Sequence, residues 1–197
     1  MIKSREEYRE YVREDRKALN RVDRKFPLSL FDWPLRYQLT MRRAEYYTNC
    51  KTHPLYKPFV LFFQLSHRIM GNRCGYSIPL NTCGKGLNLA HVGTVVINAN
   101  ARIGDYCRIH ADVNIGTSAG AGGEAPTIGN NVYIGPGAKI YGKITIADGI
   151  AIGANAVVNK SFLQPNISIA GIPAKQVSVK GSKGLLYSPN NNEVDRT

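Results

Sequence analysis

Four histidines, His53, His67, His91 and His110, are the side chains of this 197-residue chain best suited to proton transfer near neutral pH. Among them, His91 lies where an otherwise regular spacing of aliphatic residues is interrupted. An imidazole in such a position can take a proton from a hydroxyl group and return it to a leaving group. His91 is therefore the first candidate for acid–base chemistry. His53 precedes a proline and His67 lies in an apolar helical segment, so we expect structural roles for both.

The aliphatic residues recur every six positions in two long runs. They are Ile97, Ile103, Ile109 and Ile115, followed by Ile128, Ile134, Ile140, Ile146, Ile152 and Val158. Four positions after most of them comes a small or modest side chain: Ala101, Cys107, Val113, Ala119, Val132, Ala138, Ile144, Ile150 and Ala156. Six residues make a short strand and a turn, and three such units complete one triangular coil. The sequence therefore predicts a mainly β fold of stacked coils that share one core.

The spacing breaks at two places. Leu89 and Ile97 are eight residues apart, and His91 lies between them. An insertion in a β-coil re-aims side chains outward, so we expect His91 to leave the core and face a cleft. Ile115 and Ile128 are thirteen residues apart, and the glycine-rich segment 119–126 between them has no aliphatic anchor. We expect this segment to be a mobile loop over an acceptor pocket.

The chain before the repeats has helical periodicity. Apolar residues recur at three-, four- and seven-residue intervals in the first segment, where Ser4 and Glu7 match a capping box. Two more helices are expected after Pro34 and Pro58, the last of them ending at Gly71.

These patterns divide the chain into three regions. Residues 1–75 are expected to form a small helical region, 76–178 the β-coil domain, and 179–197 a polar tail. The chain after Lys175 is polar and is expected to be frayed or disordered.

Charge and composition favour some classes of function and disfavour others. A net charge of +12 and a pI near 9.7 favour phosphate-bearing partners. No nucleic-acid-binding motif or block of five like charges is present, so nucleic acid is disfavoured as a partner. The charged start predicts no signal peptide, and no apolar stretch is long enough for a membrane span. Four cysteines without CxxC spacing, and no metal-ligand spacing of histidines, predict reduced thiols in the cytoplasm and no metal.

The repeat with a histidine at its first break and a glycine-rich loop further on resembles the left-handed parallel β-helix acyltransferases. Within them it resembles the serine acetyltransferase family. The matching residues lie between 77 and 175 and include GKGLNLAHVGTVVI, ARIGDYCRIHADVNIG, PTIGNNVYIGPGAKIYGKITI, AIGANAVV and AGIPAK. The shorter serine-acetyltransferase-like proteins that acetylate sugars of surface polysaccharides are the most similar, since they share a compact helical start. The resemblance implies a left-handed β-helix and a homotrimer with active sites between subunits.

The resemblance also implies roles for individual residues. His91 matches the general base that deprotonates the acceptor hydroxyl as it attacks the thioester of acetyl-CoA. Backbone N–H groups at coil turns would stabilise the oxyanion. Pro136 and Ala154 match positions that line the CoA slot, and Ala174 and Lys175 match its end. Lys175 would meet the CoA phosphates, together with Lys139 and Lys160.

Three positions depart from the family pattern. The serine enzymes have aspartates immediately before the catalytic histidine and at the coil start, where this chain has Ala90 and Tyr76. They also have a second histidine where this chain has Ala125. These missing groups would hold the charged amino acid, so their absence favours a neutral hydroxyl, such as that of a sugar or a surface-polysaccharide precursor. The alternatives are an L-serine O-acetyltransferase of cysteine biosynthesis and a non-catalytic trimeric β-helix scaffold.

Counting along the repeat gives one further expectation. One circuit places Ile109 over Leu89, so His110 should lie about 5 Å, one strand spacing, from the neighbourhood of His91. We hypothesise that His110, or Asp112 two residues later, partly replaces the missing aspartate as an orienting group or acceptor contact. The alternative is that His110 is an ordinary surface histidine of the coil.

Overall fold

The computed structural model describes residues 1–22, 31–119 and 123–186. The helices within these ranges are α1 (Arg5–Ala18), α2 (Trp33–Cys50) and α3 (Lys57–Cys74), with a 3-10 turn at Pro54–Tyr56 before α3. The strands are β1 (Tyr76–Ser77), β2 (Asn88–Leu89), β3 (Val95–Ile97), β4 (Arg102–Ile103), β5 (Arg108–Ile109), β6 (Val113–Gly116), β7 (Thr127–Ile128), β8 (Tyr133–Ile134), β9 (Lys139–Tyr141), β10 (Thr145–Ile146), β11 (Ala151–Ile152), β12 (Val157–Val158), β13 (Ser168–Ala170) and β14 (Lys175–Ser178).

The strands form the three faces of a parallel β-helix. Face A has the order β1-β3-β6-β9-β12, face B has β4-β7-β10, and face C has β2-β5-β8-β11-β13 with β14 at its edge. Parallel neighbours in a face are one circuit apart in the chain, so each coil hydrogen-bonds to the coils before and after it. The predicted architecture, a mainly β parallel β-helix preceded by helices, is confirmed.

The regularly spaced aliphatic residues form the core of the coil. All ten, from Ile97 to Val158, are at most 4% exposed. The smaller residues four positions later are buried in the same core, with the exception of Ala119. Ala119 is exposed because it lies at the start of the predicted loop. Residues 120–122 of that loop lie outside the described residues.

The pairing register shows the first break of the repeat directly. Leu89 pairs with Ile109, twenty residues later, whereas Ile97 pairs with Ile115 after the regular eighteen. The two extra residues lie in the segment between β2 and β3, and the side chain of His91 there is exposed. The predicted exit of His91 from the core is confirmed.

The helix ends agree with the sequence at α1 and differ from it at α3. The amide of Glu7 donates to Ser4 Oγ at 3.1 Å, so the predicted N-terminal cap is present. Helix α3 continues past Gly71 to Cys74 and ends at Gly75, which has a φ of +79°. Glycine is the usual residue for this left-handed position. Gly71 is instead a packing position inside the helix: a Cβ there would lie 2.6 Å from the carbonyl oxygen of Tyr76.

Replacing Gly71 with alanine is therefore expected to destabilise the protein. Alanine improves helix propensity by about 1 kcal/mol, but a close contact with a backbone oxygen in a packed site costs about 1–3 kcal/mol. We expect a net loss in the free energy of unfolding, measured by urea titration. The matched control is Asn72→Ala, at the exposed next position of the same helix. Equal stability of the two variants would contradict this assignment of Gly71.

The C-terminal segment is more ordered than the sequence predicts. Strand β14 pairs antiparallel with β13 and so covers the last edge of face C. Further along, the Ser182 amide donates to the Gly149 carbonyl at 2.9 Å, and Arg108 donates to the Leu185 carbonyl at 3.0 Å. The expectation of a frayed chain after Lys175 is wrong up to residue 186, because an unpaired strand edge offers hydrogen-bonding groups to the following chain. The remaining tail, 187–197, lies outside the described residues.

A buried charged cluster joins the helices to the first coil. Arg42 is fully buried and donates to Asp15 at 2.8 Å, to Glu45 at 2.9 Å and to the carbonyl of Cys83 at 3.0 Å. Asp15 in turn accepts from the amide of Leu87 at 3.0 Å. These contacts hold the chain that leads into β2, only a few residues before His91.

The structure adds four observations on membrane spans, cysteines and metal sites. No helix in the described ranges is long and apolar enough to cross a bilayer. All four cysteines are free thiols. Cys83 and Cys107 are buried in the coil, and Cys107 occupies one of the small positions of the repeat. The described part of the chain contains no cluster of three or more His, Cys, Asp or Glu side chains that could hold a metal ion.

Candidate functional site

His91 lies at the first corner between face C and face A, directly after β2. Its side chain is exposed, while its backbone carbonyl accepts a hydrogen bond from the hydroxyl of Tyr76 at 2.7 Å. Tyr76 is only 4% exposed, and its ring packs edge-on against Tyr37 with centroids 4.8 Å apart. Burial raises the pKa of Tyr76, which keeps its hydroxyl protonated and able to donate. A buried tyrosine thus fixes the backbone that carries the exposed imidazole.

Tyr76 is the site residue whose role sequence analysis missed. The sequence identified it only as the replacement for an aspartate of related enzymes. In the structure β1 pairs with β3, with Tyr76 opposite Val95, so Tyr76 lies beside the segment that contains His91. The pairing of β1 with β3 could have indicated this role. The six-residue spacing does not predict that pairing, because β1 precedes the first of the regularly spaced aliphatic residues.

His110 lies one coil from His91, as the register predicts. The two ring centroids are 5.8 Å apart, and the ring centroids of His110 and Tyr133 are 5.1 Å apart. The Nε2 atom of His110 is buried and has no hydrogen-bond partner among the described residues. Burial, followed by the charges of Arg108 and His91, lowers the pKa of His110. A neutral imidazole with one unused nitrogen therefore lies beside the candidate base.

We expect His110 to act as a positioning residue for His91. Replacing His110 with alanine should remove the ring that lies 5.8 Å from that of His91 and reduce kcat/KM about fivefold, corresponding to about 1 kcal/mol of coupling. A role confined to folding would lower the melting temperature without changing the pH profile of kcat. The measurement is therefore kcat/KM together with this profile, and a loss of less than about twofold would end the hypothesis.

The lowered pKa of His110 also predicts a pH dependence of stability. The folded state binds fewer protons at this residue than the unfolded state, whose histidine pKa is about 6.5. Its contribution to stability is therefore present above that pH and is lost as the pH falls through the folded pKa. We expect the free energy of unfolding to decrease with acidification less steeply in His110→Gln than in the wild type. Parallel slopes in urea titrations across this pH range would contradict the prediction.

Asp112 is engaged by a different partner. Its carboxylate accepts from Lys139 Nζ at 3.0 Å, and its backbone carbonyl accepts from the same nitrogen at 2.6 Å. The structure therefore pairs Asp112 with Lys139, whereas it brings His110 together with His91. Lys139, proposed from the sequence as a phosphate contact, is held at the same corner.

The predicted CoA-lining residues lie along one corner of the prism. Pro136 and Ala154 are exposed on turns of consecutive coils, and the amide of Asn155 donates to the Pro136 carbonyl at 2.8 Å. One coil earlier, the carbonyl of Ala111 accepts from the amide of Gly137 at 3.0 Å. This corner column of Ala111, Pro136 and Ala154 begins directly after His110. Its side chains are small or flat, so an extended ligand can approach the backbone closely.

The residues predicted at the end of the CoA slot differ in their exposure to solvent. Ala174 is 1% exposed, and its amide donates to the Val157 carbonyl at 2.8 Å, so it shapes the end of the corner from inside. Lys175 is exposed. Lys160 is exposed as well, and its Nζ lies 5.4 Å from the centroid of Phe162.

The other two histidines have structural contacts, as predicted. His53 Nδ1 accepts from the amide of Leu55 at 3.3 Å and so begins the 3-10 turn. His67 Nε2 and the Tyr37 hydroxyl are 2.9 Å apart. Burial lowers the pKa of His67.

A cavity of about 660 Å³ lies between the end of α1 and the C-terminal segment, where Lys17, Arg108 and Ser182 line it. His91 is not among its lining residues, and its side chain is exposed. His91 and the corner column are thus a surface feature of the single chain. This arrangement is compatible with the expectation of a site completed by a second subunit.

Comparisons with known proteins support the resemblance seen in the sequence. Residues 125–160 match the family model described as bacterial transferase hexapeptide (six repeats). A serine acetyltransferase of Synechococcus elongatus is 37% identical over 99 residues, which cover 50% of this chain and 40% of that protein. The chain spans about half the length of the curated relatives it matches.

Solved structures extend the similarity to the helices. A serine acetyltransferase from Brucella abortus in complex with coenzyme A has a TM-score of 0.69 at 25% identity, covering 90% of this chain and 70% of that one. The Neisseria gonorrhoeae enzyme in complex with serine has a TM-score of 0.66 at 28% identity, covering 89% and 71%. The predicted resemblance to the serine acetyltransferases, with their left-handed β-helix, is confirmed. Similarity to the shorter polysaccharide-type proteins stays a prediction.

Proposed function

We propose that this chain, a hexapeptide-repeat relative of the serine acetyltransferases, is an acetyl-CoA-dependent O-acetyltransferase with His91 as its general base. The observation that carries the proposal is an exposed imidazole at the break of the coil, at the start of a corner column of small side chains. Its backbone is fixed by Tyr76, and its neighbour His110 is neutral. The proposal includes a homotrimer, with the active site between subunits, and a cytoplasmic location.

In the proposed reaction, a nitrogen of the His91 ring accepts the proton of the acceptor hydroxyl while that oxygen attacks the thioester carbon. The tetrahedral intermediate carries its negative charge on the former carbonyl oxygen, where backbone N–H groups stabilise it. The carbon–sulfur bond then breaks, and the departing thiolate takes the proton from the His91 imidazolium. The products are the O-acetyl ester and CoA, and His91 returns to its starting state.

The corner column supplies a suitable surface for CoA as the acetyl donor. Ala111, Pro136 and Ala154 lead from His110 toward the C-terminal coils, where Lys175 is exposed. A cation at that end would meet the phosphates while the thiol end lies near His91. The similarity to a relative solved with coenzyme A supports CoA as the ligand of this surface.

For the acceptor, the comparisons favour L-serine over the sugar that the sequence favoured. The relatives are named serine acetyltransferases, and one of them was solved with serine. L-serine is therefore the primary candidate.

A neutral hydroxyl, such as that of a sugar, is kept as the second candidate because of the residues around His91. Ala90 precedes the base, and the hydroxyl of Tyr76 donates its hydrogen bond to the His91 carbonyl. The carboxylate of Asp112, one coil away, is paired with Lys139. A serine ammonium group would thus find no free carboxylate among these three neighbours.

The test is a thiol-release assay with acetyl-CoA against L-serine and a panel of sugars, in parallel. Acetyl transfer to L-serine supports the primary acceptor, and transfer to a sugar alone supports the second. CoA release with neither acceptor above the acceptor-free rate, together with tight trimer formation, would favour the non-catalytic scaffold.

A further inference from the structure

Helix α3 presents an apolar face to solvent. Its side chains Phe59, Leu61, Phe62, Leu65 and Ile69 are each between 44% and 66% exposed. Four of them, excluding Leu61, recur at three- and four-residue intervals and so lie along one stripe. The opposite side of α3, with Met70, Gly71 and Cys74, is buried. On this stripe, Phe59 stacks against Tyr47 with ring centroids 6.3 Å apart, whereas Phe62, Leu65 and Ile69 remain exposed to solvent. Such a contiguous apolar patch marks an interaction surface.

Positive charge borders this apolar face. Lys57, Arg68 and Arg73 are exposed on α3, which contains no aspartate or glutamate. Residues 33–75 as a whole contain seven lysines and arginines and a single acidic residue, Glu45. Glu45 and its partner Arg42 are both buried, so six of the seven basic residues remain to charge the surface. The surface carried by α2 and α3 is thus strongly cationic.

We propose that the apolar face of α3 binds the surface of an anionic lipid bilayer. An apolar stripe with Phe and Leu, flanked by basic residues, is the composition of helices that lie in the bilayer interface. Each cation near an anionic surface contributes attraction that salt screens. The helix would lie in the plane of the membrane and not cross it, in agreement with the observation that no described helix can span. This inference does not depend on the proposed function.

A second copy of the chain is a less suitable occupant of this face. Two copies joined through α3 would bring Lys57, Arg68 and Arg73 of each close to those of the other without an acidic side chain on the helix to separate them. Repulsion between these like charges would oppose association, whereas anionic lipid headgroups would neutralise them. The charge pattern thus selects an anionic partner.

The test is co-sedimentation of the full chain with vesicles of phosphatidylglycerol and phosphatidylcholine in equal parts, compared with vesicles of phosphatidylcholine alone. The apolar variant is Phe62→Gln combined with Leu65→Gln, and the charge variant is Lys57→Gln combined with Arg68→Gln. Leu163→Gln is the matched control, because Leu163 is 70% exposed but lies on the β-helix.

We expect the wild type and Leu163→Gln to bind the anionic vesicles equally and the neutral vesicles weakly. Each double variant should bind the anionic vesicles at least about tenfold more weakly, since it loses apolar burial or charge attraction. Absence of wild-type binding, or unchanged binding by the apolar variant, would overturn the proposal. So would a change in oligomeric state of the apolar variant in light scattering, which would assign the face to subunit contacts. Acetyl transfer to a soluble acceptor is measured separately, so either proposal can fail alone.

Discussion

His91→Ala is expected to lose acetyl transfer almost completely while the protein stays folded. A positioned general base contributes about 10²–10⁴-fold to such reactions, so the turnover number should fall by at least about a hundredfold. The side chain of His91 is exposed, and its structural hydrogen bond is made by its backbone carbonyl. The substitution therefore leaves the contact with Tyr76 in place and should change the melting temperature little.

The measurement is CoA release under saturating acetyl-CoA and acceptor, with circular dichroism to verify folding. His53→Ala is the matched control, because His53 is an exposed histidine that only begins a 3-10 turn. It should retain wild-type activity. If His91→Ala and the wild type released CoA at equal rates above the acceptor-free rate, His91 would not be the base.

Arg42→Met is expected to cause the largest loss of stability. The guanidinium of Arg42 is fully buried between the carboxylates of Asp15 and Glu45. Burial raises the pKa of Asp15, and Arg42 is the first group that opposes this effect. Without it, two carboxylates remain in a site closed to water. Removing one partner of a buried ion pair in this way lowers the free energy of unfolding by about 3–5 kcal/mol.

In a chain of this size such a loss lowers the melting temperature by roughly ten degrees. Arg43→Met is the matched control, since Arg43 is the adjacent arginine and is exposed on the same helix. It should change the free energy of unfolding by less than about 0.5 kcal/mol. Similar melting temperatures for the two variants would show that the cluster does not hold the helices to the first coil.

The β-helix was predictable from the sequence because its core residues recur at a fixed spacing of six. Each unit places one aliphatic side chain inside, so Ile97 to Val158 identify both the strands and the number of residues in a coil. The same counting placed His110 beside His91, since parallel register follows from the repeat. His91 was identified as the candidate base because it lies where the six-residue spacing is interrupted.

The features that were not predicted depend on contacts between distant parts of the chain. Gly71 resembled a helix end, yet it is required where α3 packs against the Tyr76 backbone. The polar composition after Lys175 gave no sign that β14 would cover the edge of β13. Likewise, the use of Arg42 and Tyr76 follows only from which elements meet in space, and no local pattern encodes it.

The central claim is that the His91 imidazole meets the reacting end of acetyl-CoA. It is tested most directly by a crystal structure of the protein with CoA, in which the distance from the CoA sulfur to the His91 ring is measured. We predict that the sulfur lies next to this ring, with the CoA arm along Pro136 and Ala154 and a second subunit against its other side. CoA bound elsewhere, with the His91 ring facing open solvent, would contradict the account.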